Sequence, residues 1–274
     1  MSKFRTIEIS SPRYEFNNIR FITVKTPNLK GRGDICVYEP PHNSEKALPV
    51  VILLHGVHGS SWSWALNAGV HVQVNELIKQ GALPPMILAM PSDGMWGDGS
   101  AYLPLNSYNF EKWIAEDVAD AVNECIDGAS NKSPLFIAGM SMGGFGALRI
   151  GAKYGYKFKG AAGLSSITSL PQMKFFVEES LKSYIQTNIA DEDLLDTFKK
   201  YRHQLPPIHF DCGERDILIK YNRELHKKME KEGLPHMYEE YQGGHEWTYW
   251  SQHIIQSLKF FAQQLQPVNP EYKY

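Results

Sequence analysis

The chain has 274 residues, 43% hydrophobic and 21% charged, which is enough to bury a core without disulfide or metal staples. Its 28 basic and 30 acidic residues give a net charge of −2, which speaks against a nucleic-acid binder or an acidic tail. No apolar run is long enough to cross a bilayer, the start MSKFRTIEIS has no secretory apolar core, and Cys36, Cys125 and Cys212 fit neither a disulfide framework nor a zinc site, so a cytoplasmic protein is expected.

Alternating apolar and polar residues near Phe4–Ile9 and Ile19–Lys25, with a third stretch at Ile35–Tyr38 after the turn-rich NLKGRGD, predict antiparallel strands. Pro40, Pro41 and Asn43 mark a loop. The pattern then changes. Pro49–Leu54 is a continuous apolar run bounded by Pro and Gly, as in a strand buried on both faces. Val70, Val74, Leu77 and Ile78 have helical spacing, with Gly81 as the stop. Met86–Met90 is the next strand, Ile114 to Ile126 a helix, Leu135–Ala138 a strand, a helix begins around Ala147, and Gly160–Leu164 is again a strand. This alternation predicts right-handed crossovers and a doubly wound, mostly parallel sheet, with the antiparallel strands at its N-terminal end.

Residues 166–205 interrupt the rhythm. They read as two inserted helices at about 171–185 and 192–202, forming a small cap. Asp191, Glu192 and Asp193 would start the second and Lys199 and Lys200 end it, which suits the helix dipole. Strands at Ile208–Asp211 and Met237–Tyr241 follow, separated by a helix over 219–232. A last helix at about 248–265 carries Trp250, Ile254, Leu258, Phe261 and Leu265 on one face, and the tail PVNPEYKY reads as loose.

The chemistry concentrates at strand ends. Gly139-Met140-Ser141-Met142-Gly143 is a G-x-S-x-G between a strand and a helix, the setting in which a sharp turn lifts a serine oxygen above the sheet. Such a serine needs a base. His245, in Gly243-Gly244-His245-Glu246 before the last helix, is the candidate, because its glycines let the loop reach across. The orienting acid should follow the strand IHFD. Asp216 has the loop position, Asp211 reads as buried structure and Glu214 as solvent-facing. His55-Gly56-Val57-His58-Gly59 follows the first buried strand and offers a backbone N–H to an oxyanion: Val57, with His58 as the alternative, beside the amide of Met142. A metal pair at His55 and His58 lacks a third ligand, so neither a metal nor another cofactor is expected.

Five of the 6 tryptophans, Trp62, Trp64, Trp96, Trp247 and Trp250, lie on or next to loops at strand ends, where ligands bind in open α/β sheets. Trp62, Trp96, Trp247 and His58 are taken as substrate contacts, and Trp250 as core. Phe175, Phe176 and Leu170 of the cap are further pocket candidates.

PVVILLHGVHGSSWSW, MILAMPSDGMWGDGSAY, FIAGMSMGGFGALRI, CGERDILI and GGHEWTYW resemble the putative esterase family of the α/β-hydrolases, which includes esterase D (S-formylglutathione hydrolase), tributyrin-type and feruloyl esterases and the mycolyltransferases. The resemblance covers about residues 20–265 and implies Ser141, Asp216 and His245 as the catalytic positions. The expectation is one α/β-hydrolase domain over residues 1–274 that hydrolyses short-chain or aromatic acyl esters through an acyl-enzyme. A carbohydrate acetyl or feruloyl esterase and an S-formylglutathione-type thioesterase are the alternatives. A non-catalytic binding protein on this scaffold ranks lower, because all three triad candidates are present. The expected partner is a small-molecule ester, with no nucleic acid and no membrane, and a homo-oligomer stays open.

Overall fold

Nine strands share one sheet in the computed structural model, which describes residues 2–42 and 46–265. The loop position Asn43 and the tail PVNPEYKY lie outside the described residues. In chain order the strands are β1 (Ile7–Ile9), β2 (Ile19–Thr26), β3 (Gly31–Tyr38), β4 (Val50–Leu54), β5 (Ile87–Pro91), the two-residue pair β6 (Pro104–Leu105) and β7 (Tyr108–Asn109), then β8 (Leu135–Met140), β9 (Phe158–Leu164), β10 (Ile208–Gly213) and β11 (Met237–Tyr241). The helices are α1 (Ser63–Leu66), α2 (Val70–Lys79), α3 (Phe110–Lys112) running through a π turn at Trp113–Val118 into α4 (Ala119–Cys125), α5 (Met142–Lys153), α6 (Leu194–Lys200), α7 (Ile219–Lys231) and α8 (Trp247–Gln263).

The sheet order is β1-β2-β3-β5-β4-β8-β9-β10-β11. The pairs β1–β2, β2–β3 and β3–β5 are antiparallel, and every pair from β5 to β11 is parallel. The expected antiparallel start and doubly wound sheet are therefore present. The chain leaves β4 toward β5 on one side and comes back to β8 on the other. The loops beyond β4 and β8 thus diverge, and the crevice between them is where an α/β sheet binds ligands.

Side chains of β4 explain why its run is continuously apolar. Val51 and Leu53 pack with Trp64 of α1, Val70 and Val74 of α2, and Ile254 and Leu258 of α8. Val50, Ile52 and Leu54 point to the other layer, with Trp113, Ile114, Phe145, Leu148 and Leu225. With period two and helices on both faces, every position is buried.

The inserted segment departs from the expected pair of helices. Two short 3₁₀ turns at Leu170–Phe175 and Leu181–Tyr184 stand where a helix over 171–185 was expected, a third at Ile189–Glu192 precedes α6, and only α6 is helical as read. Pro171 lies in the first 3₁₀ turn, and Ser180 accepts a hydrogen bond from Lys182 N at the start of the next, so the segment is cut into separate turns. Asp193 caps α6 by accepting from Asp196 N, with Lys199 and Lys200 in its last turn, as the charge pattern indicated.

Candidate active site

Strand β8 ends one residue before Ser141, whose backbone sits at φ 58°, ψ −119°, a strained conformation for a residue with a Cβ. Three hydrogen bonds hold it there. Ser141 N donates to Leu164 O at 2.9 Å, and Ser141 O accepts from Phe145 N and Ile167 N at 3.2 Å each. The glycines of the motif are sterically required. A Cβ on Gly143 would overlap the carbonyls of Leu54 and His55, and one on Gly139 would overlap the carbonyl of Gly143. The serine therefore stands at the N-terminus of α5, over the crevice.

Asp216 and His245 arrive on two loops pressed against each other. Arg215 N donates to Gly243 O and Glu214 N to Tyr241 O, both at 2.9 Å. A Cβ on Gly213 would lie 2.6 Å from Gly243 O. Asp216 is buried, and its Oδ1 accepts from Leu218 N at 2.8 Å. Both its oxygens lie 3.0 Å from His245 Nδ1, and His245 Nε2 lies 2.9 Å from Ser141 Oγ. A carboxylate only accepts, so Nδ1 carries the proton and Nε2 is the acceptor for the serine hydroxyl. Phe176 stacks on the imidazole with centroids 5.0 Å apart at 23°, and Trp250 meets it at 4.9 Å and 89°.

The other acidic candidates face elsewhere. Asp211 is fully buried and accepts from Tyr249 Oη at 2.6 Å. Burial pushes its carboxyl up to about 8, despite that hydrogen bond. Glu214 is exposed and accepts from Gln242.

The loop after β4 is set by His55. Its Nε2 accepts from Asp93 N at 3.0 Å, which leaves the proton on Nδ1, and Nδ1 donates to Gly56 O at 2.7 Å. In a trans peptide the carbonyl and the next N–H point opposite ways, so drawing Gly56 O toward His55 aims the Val57 N–H away from it. His58 N is committed to Asp98 O at 2.8 Å and is not free to act as a donor. The Val57 and Met142 amides have no hydrogen-bond partner among the described residues. Both side chains pack at Gly99, where a Cβ would overlap Met142 Sδ and lie 3.4 Å from Val57 Cγ1. With both ring nitrogens of His55 occupied, a metal pair with His58 is not formed, and no group of three metal-ligating side chains occurs among the described residues.

A cleft of about 450 Å³ opens at Ser141 and His245. His58, Trp62 and Trp247 line it, together with Phe176 and Trp250. Trp96 does not, and this corrects its reading as a substrate contact. Asp93 turns the 92–100 loop by accepting from Met95 N at 2.9 Å and Ser100 N at 2.7 Å. Trp96 consequently faces the insertion and packs edge-on against Tyr184, centroids 5.5 Å apart. Trp64 is buried and donates to Leu54 O at 3.0 Å. Of the three cap candidates only Phe176 reaches the cleft, since Leu170 is core and Phe175 lies against Tyr221. Trp250 is both core and wall. Met140 also lines the cleft and was not singled out, although its place inside the serine motif marked it.

A family model described as Putative esterase matches residues 26–261. The chain belongs to this esterase family. It is an ester hydrolase. The esterase is 26% identical over 262 residues to an acetyl esterase of Caldicellulosiruptor saccharolyticus, covering 89% of this chain and 91% of that protein. Its fold is that of an S-formylglutathione hydrolase from Staphylococcus aureus (TM-score 0.75, 20% identity, 93% of this chain and 99% of that one). It is also that of a ferulic acid esterase (TM-score 0.77, 22% identity, 95% and 100%). No helix among the described residues of the esterase is long and apolar enough to cross a membrane.

Proposed function

We propose that the esterase is a serine carboxylesterase in which Ser141 is the nucleophile, His245 the base and Asp216 its orienting carboxylate. One observation carries this reading: His245 touches both partners at once, Ser141 Oγ at 2.9 Å through Nε2 and Asp216 at 3.0 Å through Nδ1. Ser141 Oγ attacks the ester carbonyl while Nε2 takes its proton. The oxyanion that forms is held by the Met142 and Val57 amides at the positive end of α5. The tetrahedral species collapses to an acyl-enzyme as His245 gives its proton to the departing alcohol, and water deacylates Ser141 by the same route. No metal or organic cofactor enters these steps.

The aromatic walls of the cleft and its limited size suit short-chain or aromatic acyl groups. Similarity to an acetyl esterase supports the small-acyl end of that range. The chain is read as one α/β-hydrolase domain with its insertion at 166–205. Three free cysteines suit a reducing cytoplasm. Ser141→Ala is the test. It should abolish p-nitrophenyl acetate hydrolysis and fluorophosphonate labelling while the protein stays folded, and substantial residual turnover would overturn the assignment.

A further inference from the structure

Asp98 lies outside the cleft, yet it joins three segments that meet there. Its carbonyl accepts from His58 N at 2.8 Å, in the loop that carries the Val57 amide. Its Oδ1 lies 3.3 Å from His58 Nε2 in the same loop. Its other carboxylate oxygen, Oδ2, accepts from Glu178 N at 2.7 Å, and its own N–H donates to Glu179 Oε1 at 2.9 Å. Glu178 and Glu179 belong to the insertion and follow Phe176, the ring stacked on His245. Gly97, at φ 54°, lets Glu179 approach, because a Cβ there would overlap Glu179 Oε1. The neighbouring contacts reinforce the junction: Tyr184 Oη donates to Gly99 O at 2.8 Å, and Trp96 packs against the Tyr184 ring.

Phe176 needs this support. It is only half-buried, it follows a 3₁₀ turn, and the segment from Phe176 to Ser180 has no helix or strand of its own. The clasp to Asp98 begins two residues further on and fixes how far the segment can swing from the imidazole.

We propose that Asp98 is a positioning residue for ester hydrolysis, clasping the insertion to the oxyanion loop so that Phe176 stays packed on His245. This rests on the reading of Ser141 and His245 as the working pair. Without the clasp, the ring leaves the imidazole, which then samples orientations that point Nε2 away from Ser141. Of the aromatic walls only Phe176 moves while Trp62, Trp247 and Trp250 stay, so with an acyl group as small as acetyl the effect falls on kcat more than on KM.

The test is a double-mutant cycle on p-nitrophenyl acetate hydrolysis. Asp98→Ala and Phe176→Ala should each lower kcat about tenfold with KM changed less than about threefold, and the double variant should be no worse than about tenfold, because one acts through the other. Asp98→Asn keeps an oxygen for Glu178 N and should retain most of the rate. Additive losses of about a hundredfold in the double variant would overturn the proposal. So would an Asp98→Ala enzyme that loses thermal stability but keeps wild-type kcat. If Asp98→Ala does not fold, Asp98→Ser and Phe176→Leu complete the same cycle. Failure of the underlying reading looks different: it would appear as turnover by Ser141→Ala, whatever Asp98 does.

Discussion

His55 and Gly56 are neighbours in sequence and hydrogen-bonded to each other, Nδ1 donating to the carbonyl at 2.7 Å. The imidazole is buried and does not itself line the cleft, yet it decides where the next amide points. His55→Ala frees the Gly56 peptide to rotate and misaims the Val57 N–H. On the proposed reading of Val57 as an oxyanion donor, the loss of which costs about 10²–10³ in kcat, misaiming it should cost roughly 10- to 100-fold, with KM little changed. Steady-state kinetics on p-nitrophenyl acetate reads this, and a variant that raises KM alone would contradict it.

Asp216 holds one tautomer of His245. Asp216→Asn keeps the size of the side chain but can present an N–H to Nδ1, which favours the proton on Nε2, where it cannot accept from Ser141. By the precedent of serine-histidine-aspartate sites, kcat should fall by about 10⁴-fold while the fold is retained. Rate and circular dichroism measured together check this. A fall of less than tenfold would mean that another group orients the histidine.

The two loop tryptophans give opposite expectations. Trp62 lines the cleft and is 43% exposed, so Trp62→Ala should raise KM for bulky aromatic esters several-fold and leave the melting temperature nearly unchanged. Trp96→Ala should leave KM unchanged. It removes a half-buried ring from Tyr184 and should cost about 2 kcal/mol, somewhat below the range for a fully buried tryptophan. An ester panel and thermal melts on both variants separate the roles.

That contrast marks where the sequence was informative. That Ser141, Asp216 and His245 come together was legible because each lies in a loop just past the carboxyl end of a strand, although only the strand before Ser141 is a continuous apolar run and the one before His245 reads MYEEY. The dihedral demand at Ser141 also leaves glycines beside it, visible as G-x-S-x-G. Trp96 misled because its loop is turned by Asp93 accepting from Met95 and Ser100, hydrogen bonds that composition does not reveal. Of the two helices expected in the insertion only the second is present, because Pro171 and Ser180 break the first stretch into 3₁₀ turns. Asp98 carried no signal at all, since its partners are a backbone amide of the insertion and one of the loop after β4, far away in sequence.

Asp211 gives a pH dependence whose sign can be worked out. In the unfolded chain its carboxyl titrates near the ordinary value of about 4. In the folded protein burial pushes it up to about 8, more than offsetting the hydrogen bond from Tyr249. Between these values the folded state holds a proton that the unfolded state has lost. Its contribution to stability is therefore fully present below about pH 4, declines as pH rises, and is lost by about pH 8. Asp211→Asn keeps an oxygen for Tyr249 Oη and has no charge to bury, so it removes this slope. The gap between the two proteins should be small at pH 5 and widen as pH rises, with the variant melting well above the wild type at pH 8, where the wild type must either hold a proton or bury a charge. Melting curves across pH 5–9 decide it. A variant that melts below the wild type at pH 8 would show that the buried carboxyl is ionised and stabilising there.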